Sequence, residues 1–313
     1  MTDAAAGMVK AEASAGRWPN FFIVGAPRAG TTSMWEYLRR HPDIYMATRK
    51  EPHFFSASKL RYMLEAYVSD EREYLQLFEG ATGQEVVGEA STSYLSSYDA
   101  PQRIKTVSPG ARILIILREP VSRAYSHHWH NVRYGREDRD FLTVVQEGLS
   151  GRRSHIVWFG HYPNFVRRYL DLLSPNVLPL VFEEFAQDAR GHVRRVLEFL
   201  GVDPGYADSF DPTPRNMTAL PRNALSRGVY GSRRLRSLGR SIVPGALHGR
   251  VERVLLRRVH LPRMEPEARR LLEDLYRPEV EELERVLGRV LPWRTSSRGA
   301  KDPAPTALDA AIW

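Results

Sequence analysis

Between a short apolar run and an amphipathic one, the chain places Gly25-Ala26-Pro27-Arg28-Ala29-Gly30-Thr31-Thr32, and this junction narrows the fold more than any other feature. Asn20-Phe21-Phe22-Ile23-Val24 has the aromatic and β-branched content of a buried strand, and Ser33 to Arg40 follows with helical spacing. A strand that passes through a glycine-containing loop into a helix is the opening unit of an α/β sheet. The loop is also an anion site. Gly30, without a β-carbon, lets backbone approach a ligand closely, and the free N–H groups at the start of the helix, aided by its dipole, can bind a negative charge. In a nucleoside triphosphatase the pattern is G-x-x-x-x-G-K-[ST]. Here Thr31 stands where the lysine belongs, and the only cation in the loop is Arg28. The loop suits a phosphate-like anion but not ATP hydrolysis.

A second segment strengthens the reading. Ala111 to Leu117 (Ala-Arg-Ile-Leu-Ile-Ile-Leu) is another buried-strand candidate, followed by Arg118-Glu119-Pro120 and a run through Ser126. Proline suits the first turn of a helix, so Arg118 falls at a strand's carboxyl end and Ser126 about two helical turns further on. Ligands of open α/β sheets bind at that edge. Strands that hold magnesium beside a nucleotide end in aspartate; this one ends in arginine, which offers charge to an anion and nothing to a metal.

At these residues the chain resembles the PAPS-dependent sulfotransferases, which use 3′-phosphoadenosine-5′-phosphosulfate as sulfuryl donor. Pro27-Arg28-Ala29-Gly30-Thr31-Thr32 is similar to the family's P-[KR]-x-G-T-[TS] segment, and Arg118 with Ser126 to its arginine and the serine eight residues later. Lys50-Glu51-Pro52-His53-Phe54-Phe55 resembles a segment of the heparan sulfate glucosaminyl 3-O-sulfotransferases and their bacterial relatives. The resemblance runs in patches from about Pro19 to Leu200, with a weaker echo from Leu271 to Trp293. It implies a central parallel sheet flanked by helices, the P-loop-kinase-like sulfotransferase fold. It implies that Arg28, Ala29, Gly30, Thr31 and Thr32 hold the 5′-phosphosulfate, that Arg118 and Ser126 hold the 3′-phosphate, and that Glu51 is the catalytic base. Arg28 would neutralise charge on the leaving phosphate, His53 would orient Glu51 or touch the acceptor, and Arg222 would reach the 3′-phosphate from a basic loop. PAP would be the product. One departure stands out: in Glu89-Ala90-Ser91-Thr92-Ser93-Tyr94, Ala90 takes the place of a lysine of the heparan enzymes. This puts a second catalytic cation and a polysaccharide acceptor in doubt.

The reading of the residues adds what the resemblance does not. A carboxylate works as a base when partial burial moves its pKa towards the working pH, which is the expectation for Glu51. His127, His128 and His130 lie on the helix of Ser126, but their offsets put at most His127 and His130 on one face and no H-E-x-x-H pattern is present, so no metal site is expected. Without cysteine there is neither a disulfide framework nor a thiolate metal site. Met1 to Gly16 is polar and alanine-rich, and no segment reaches the roughly 18 apolar residues of a membrane span, so a cytoplasmic protein is expected. Forty arginines against five lysines fit a GC-rich, bacterial source.

Residues 1–16 read as a disordered N-terminus, 17–293 as a single domain and 294–313 as a mobile tail. Within the domain, Arg222 to Arg263 holds eleven arginines and one acid, Glu252. Its apolar residues and lack of interleaved aromatics favour a lid over donor and acceptor and argue against nucleic acid, while contact with an anionic membrane surface stays open. Further elements are expected over Ile44–Met46 and Glu85–Glu89 (strands), Ser91–Val107 (turn and helix), Phe141–Leu149 and His161–Leu173 (helices), Asn176–Phe182 (strand), Ala189–Leu200 (helix) and a C-terminal helix pair broken at Pro278. The expected activity is transfer of a sulfuryl group from PAPS to a hydroxyl, less favourably an amine, of a small-molecule, lipid or glycan acceptor. A kinase-like enzyme and a non-catalytic PAP- or nucleotide-binding module are the alternatives. Oligomeric state is not legible.

Overall fold

The structure, a computed structural model, describes residues 17–56, 64, 67–151, 154–209, 219–221, 256–258 and 261–293. Five strands form one sheet: β1 (Phe21–Gly25), β2 (Ile44–Met46), β3 (Val86–Ala90), β4 (Arg112–Leu117) and β5 (Val177–Val181), in the order β2-β3-β1-β4-β5 with every neighbouring pair parallel. Parallel strands covered on both faces need apolar residues throughout, and β1 and β3 are buried at all positions. The expected α/β sheet is therefore present.

The chain leaves β1 towards β3 on one side and later towards β4 on the other. A crevice opens at the carboxyl ends of strands where the order diverges in this way. The segments following β1, β3 and β4 are brought together there by backbone bonds: Ser91 N–H donates to Ile23 O (3.0 Å), Leu95 N–H to Val24 O (2.8 Å) and Ala26 N–H to Ile116 O (2.6 Å).

Around the sheet stand α1 (Thr31–Leu38), α2 (Glu71–Gln76), α3 (Ala100–Val107), α4 (Pro120–Arg133), α5 (Phe141–Leu149), α6 (His155–Trp158), α7 (Tyr162–Leu173), α8 (Phe182–Gln187), α9 (Ala189–Leu200) and α10 (Pro266–Leu287). A first apolar cluster fills the space between sheet and helices; a second joins α4, α5, α6 and α10 through Val121, Tyr125, Phe141, Val145, Ile156, Leu272 and Tyr276. A short antiparallel pair, β6 (Ala219–Pro221) with β7 (Leu256–Arg258), has β6 beside α4. Among the described residues no helix is long and apolar enough to cross a membrane.

Three elements differ from expectation. The helix after β3 starts only at Ala100, with Pro101 in its first turn. Before it lies the expected turn, closed by Tyr94 N–H to Ser91 O (3.1 Å) and Ser97 N–H to Ser93 O (3.1 Å), while the Ser91, Thr92, Ser93 and Tyr94 side chains bond outside the segment, the competition short hydroxyl residues impose on a helix. The chain turns helical at once after β5, in α8. Pro278 does not break the C-terminal helix: α10 continues through it to Leu287. Its missing hydrogen bond is offset by a buried stripe, Ala268, Leu272, Tyr276 and Leu283, that anchors the helix on both sides of the proline.

Candidate active site

The loop after β1 turns on residues in unusual backbone conformations. Gly30 has φ +79° and caps α1, and a β-carbon there would lie 3.0 Å from the Phe182 ring. Gly30→Ala is therefore expected to cost about 1 kcal/mol or more of stability and to weaken anion binding; thermal unfolding with and without PAP checks this, and an unchanged midpoint would contradict it. Arg28 itself lies in the left-handed region, at φ +69°.

That conformation directs the Arg28 side chain onto α4. Its Nε donates to Ser126 Oγ (3.2 Å) and its Nη1 to His130 Nδ1 (3.2 Å). Arginine only donates, so His130 Nδ1 is the acceptor and its proton resides on Nε2. Arg118 reaches the same loop from the end of β4, donating from Nη1 to Arg28 O (2.9 Å) while its guanidinium lies over the Phe182 ring (4.7 Å to the centroid). Burial, and then the charge of Arg118, lower Arg28 to about 10. Burial likewise lowers Arg118, against the pull of Glu183 and Glu119. Two guanidiniums, Arg118 buried and Arg28 half-buried, thus meet at a helix N-terminus, and the side-chain bonds of Arg28 go to Ser126 and His130, neither of which carries negative charge. A bound anion would relieve both, so the residues fit a phosphate-bearing donor.

The second half is a turn after β2. Glu51 (φ +61°) and His53 (φ +58°) are, with Arg28, the non-glycine residues of positive φ among the described residues. Such conformations cost of order 1–3 kcal/mol each and persist only where surroundings over-determine them. Here the surroundings are the residues after β3. Glu51 N–H donates to Ala90 O (2.9 Å), and the Glu51 carboxylate accepts from Thr92 N (3.2 Å), Thr92 Oγ1 (3.1 Å) and Lys50 Nζ (2.8 Å), with His53 Nε2 lying 3.2 Å from it. On its other side the His53 ring bonds Ser93 Oγ through Nδ1 (2.7 Å). Behind the turn, Phe54 stacks on Tyr74 (4.3 Å) and Phe55 packs edge-on against Phe54, Tyr74 and Tyr94.

One electrostatic expectation is corrected. Burial does push the Glu51 carboxyl upwards, but Lys50, His53 and the Thr92 N–H together hold it down to about 2. Glu51 is ionised at any working pH instead of being poised near it. His53 is lowered by burial, against the attraction of Glu51, and stays neutral near pH 7. His130, lowered by burial, Arg28 and Arg133 to about 3 with Glu51 pulling the other way, lies in the fields of both halves of the site.

The structure thus brings together Arg28, Ala29, Gly30, Thr31, Thr32, Arg118 and Ser126 at one cradle, and Glu51 with His53 at a turn held by the neighbouring segment. Arg222 and most of the Arg222–Arg263 stretch lie outside the described residues. Sequence reasoning missed Thr92 as the partner of Glu51 and gave His130 only a surface or groove-lining place; the serine- and threonine-rich run after β3 was the available signal for the first.

A family model for the sulfotransferase domain matches residues 19–217. Human heparan sulfate glucosamine 3-O-sulfotransferase 6 is 27% identical over 284 residues, covering 88% of this chain and 74% of that protein. Mouse heparan sulfate glucosamine 3-O-sulfotransferase 3B1 is 25% identical over 283 residues, covering 88% and 65%. The chain therefore spans about two thirds to three quarters of the length of these relatives. Among solved structures, a sulfotransferase from Alicyclobacillus acidocaldarius superposes with a TM-score of 0.64 at 31% identity, over 89% of this chain and 100% of that one. A mouse sulfotransferase complexed with PAP has the same fold (TM-score 0.52, 18% identity, 87% and 89% covered).

Proposed function

The chain belongs to the sulfotransferase family, and from that premise we propose that it transfers a sulfuryl group from PAPS to an acceptor hydroxyl, releasing PAP. The observation that carries this reading is the meeting of Arg28, Arg118 and Ser126 at the Gly30 helix terminus, with His130, which bonds Arg28, in the field of an ionised Glu51. Arg118 and Ser126 are proposed to hold the 3′-phosphate, and the 28–32 loop the 5′-phosphosulfate.

Transfer is in line: the acceptor oxygen attacks sulfur as the bridging oxygen departs with its electron pair. Glu51 takes the acceptor's proton. A carboxylate held near 2 is a weak base, so the proton moves as the oxygen–sulfur bond forms and not before. His53, with Nε2 3.2 Å from the carboxylate, flanks the oxygen it faces. Arg28, always protonated, neutralises the charge growing on the phosphate that leaves.

The acceptor is proposed to be a small molecule, a lipid or a glycan. The heparan sulfate names of the relatives support a glycan; Ala90, where those enzymes carry lysine, supports a less anionic acceptor. The test is incubation with labelled PAPS and candidate acceptors. PAP release with a mass gain of one sulfuryl group on an acceptor supports the proposal, and PAPS left intact with every acceptor class speaks against it. Because β4 is followed by Arg118 and not by a metal-binding aspartate, turnover is expected to persist in EDTA. Loss of activity on chelation with rescue by magnesium would instead favour a kinase-like reaction.

A further inference from the structure

The strained turn bearing Glu51 and His53 raises the question of what holds it. Thr92 and Ser93 bond its side chains, but its backbone N–H groups are received deeper in the protein. His53 N–H donates to Ser91 Oγ (3.0 Å), and Phe55 N–H donates to Tyr94 Oη (3.2 Å). A hydroxyl accepts in a defined direction only if its own proton is committed elsewhere. Both protons are committed to one group. Ser91 Oγ–H donates to Glu89 Oε2 (2.7 Å) and Tyr94 Oη–H to Glu89 Oε1 (2.6 Å), with Tyr74 Oη–H adding a third bond to Oε1 (2.7 Å). Glu89, the penultimate residue of β3, is fully buried. The bonds above give its carboxylate no direct contact with Glu51 or His53.

We propose that Glu89 is a positioning residue for transfer: its buried carboxylate orients the Ser91 and Tyr94 hydroxyls to receive the backbone of His53 and Phe55, and so holds the left-handed turn that aims Glu51. A carboxylate serves here because it can accept three hydroxyl protons and donates none, whereas an amide of the same shape must present N–H to one of them. The inference rests on the reading of Glu51 as the base.

The arrangement has a cost that makes it visible. The titratable groups facing Glu89 are Tyr74 from α2, Tyr94 beside it, Tyr169 from α7 and Glu51 across the turn. Burial raises the Glu89 carboxyl to about 7, against the three hydroxyl bonds that favour its ionised form, with Glu51 adding to the rise. On protonation one carboxylate oxygen becomes a donor, and a hydroxyl that donated to it must turn. Activity limited by this network therefore falls as pH drops through about 7, far above the value at which Glu51 is held. Stability has the opposite sign: the folded protein binds this proton more tightly than the unfolded chain, so the contribution is present below the ordinary carboxylate value and is lost as pH rises through about 7.

The experiment compares Glu89→Gln, Ser91→Ala and Glu51→Gln with the parent in full-length protein, measuring kcat at saturating PAPS across pH 5.5–8.5 and PAP affinity by calorimetry. Expected are a fall in kcat on the order of tenfold to a hundredfold in Glu89→Gln, PAP affinity within about twofold of the parent, and loss of the acid limb near pH 7. Ser91→Ala removes one link and leaves the carboxylate and both tyrosines in place. It is expected to lose about tenfold in kcat and decides the matter if Glu89→Gln does not fold. Parental kcat in either folded variant, PAP affinity falling in step with kcat, or an acid limb that persists in Glu89→Gln would overturn the inference. If Glu51→Gln turns over at the parental rate, the base assignment fails instead.

Discussion

Glu51→Gln is expected to lower the transfer rate by about a hundredfold or more while PAP affinity stays close to that of the parent protein. Glutamine keeps the shape and can still accept from Thr92, so the turn keeps its conformation. What disappears is the negative charge and with it the place for the acceptor's proton. Lys50, 2.8 Å from the carboxylate, also loses its partner; since it is partly exposed, water replaces that bond at little cost in stability. Because the parent carboxyl sits near 2, no loss of activity from Glu51 protonation is expected above about pH 3. Steady-state rates with a hydroxyl acceptor, beside a PAP titration, decide the point. Parental turnover in the variant would make Glu51 a structural residue.

Arg28→Ala is expected to reduce both donor affinity and the rate at saturating donor. Loss of a charge-assisted contact to phosphate costs on the order of 1 to 3 kcal/mol, a tenfold to hundredfold weakening of PAP binding. If Arg28 also meets charge developing on the leaving oxygen, the rate falls by about a further hundredfold. A fall in affinity alone, with the saturated rate intact, would reduce Arg28 to a phosphate clamp. The unliganded fold should not suffer. Burial and the neighbouring Arg118 lower the Arg28 pKa, so its charge is held against the preference of the folded state. Removing it is expected to leave the unfolding midpoint unchanged or higher, as when a site sacrifices stability for function. A clear drop in midpoint would contradict this account of the cradle.

Much of this site was legible in the sequence, for identifiable reasons. The run Phe21 to Val24 and the run Ile113 to Leu117 are continuous apolar segments, which only a sheet covered on both faces requires, and the residues ending them fall at the binding edge of such a sheet. Arg118 and Ser126 are connected by a strand end and a proline-initiated helix, so their separation in sequence maps directly onto space. The grip on Glu51 had no such local signature. Thr92 lies 41 residues from Glu51 and meets it only because β2 and β3 are neighbours. The same register hid the work of Ser91, Ser93 and Tyr94, whose hydroxyls bond across to the turn and stop the segment from coiling into the helix its composition suggested. The Glu51 pKa was misjudged because burial was weighed without Lys50, His53 and Thr92, three partners that only the folded chain assembles. Pro278 shows a related limit: a proline ends a helix only when packing on its far side is too weak to continue it.

The central claim is that the cradle of Arg28, Arg118 and Ser126 is built for a nucleotide with a 3′-phosphate. Calorimetric titration of the full chain with PAP and with ATP tests it most directly. PAP should bind tenfold to a hundredfold more tightly, because ATP lacks the group that Arg118 and Ser126 are placed to receive. ATP bound as tightly as PAP would contradict the assignment of that cradle.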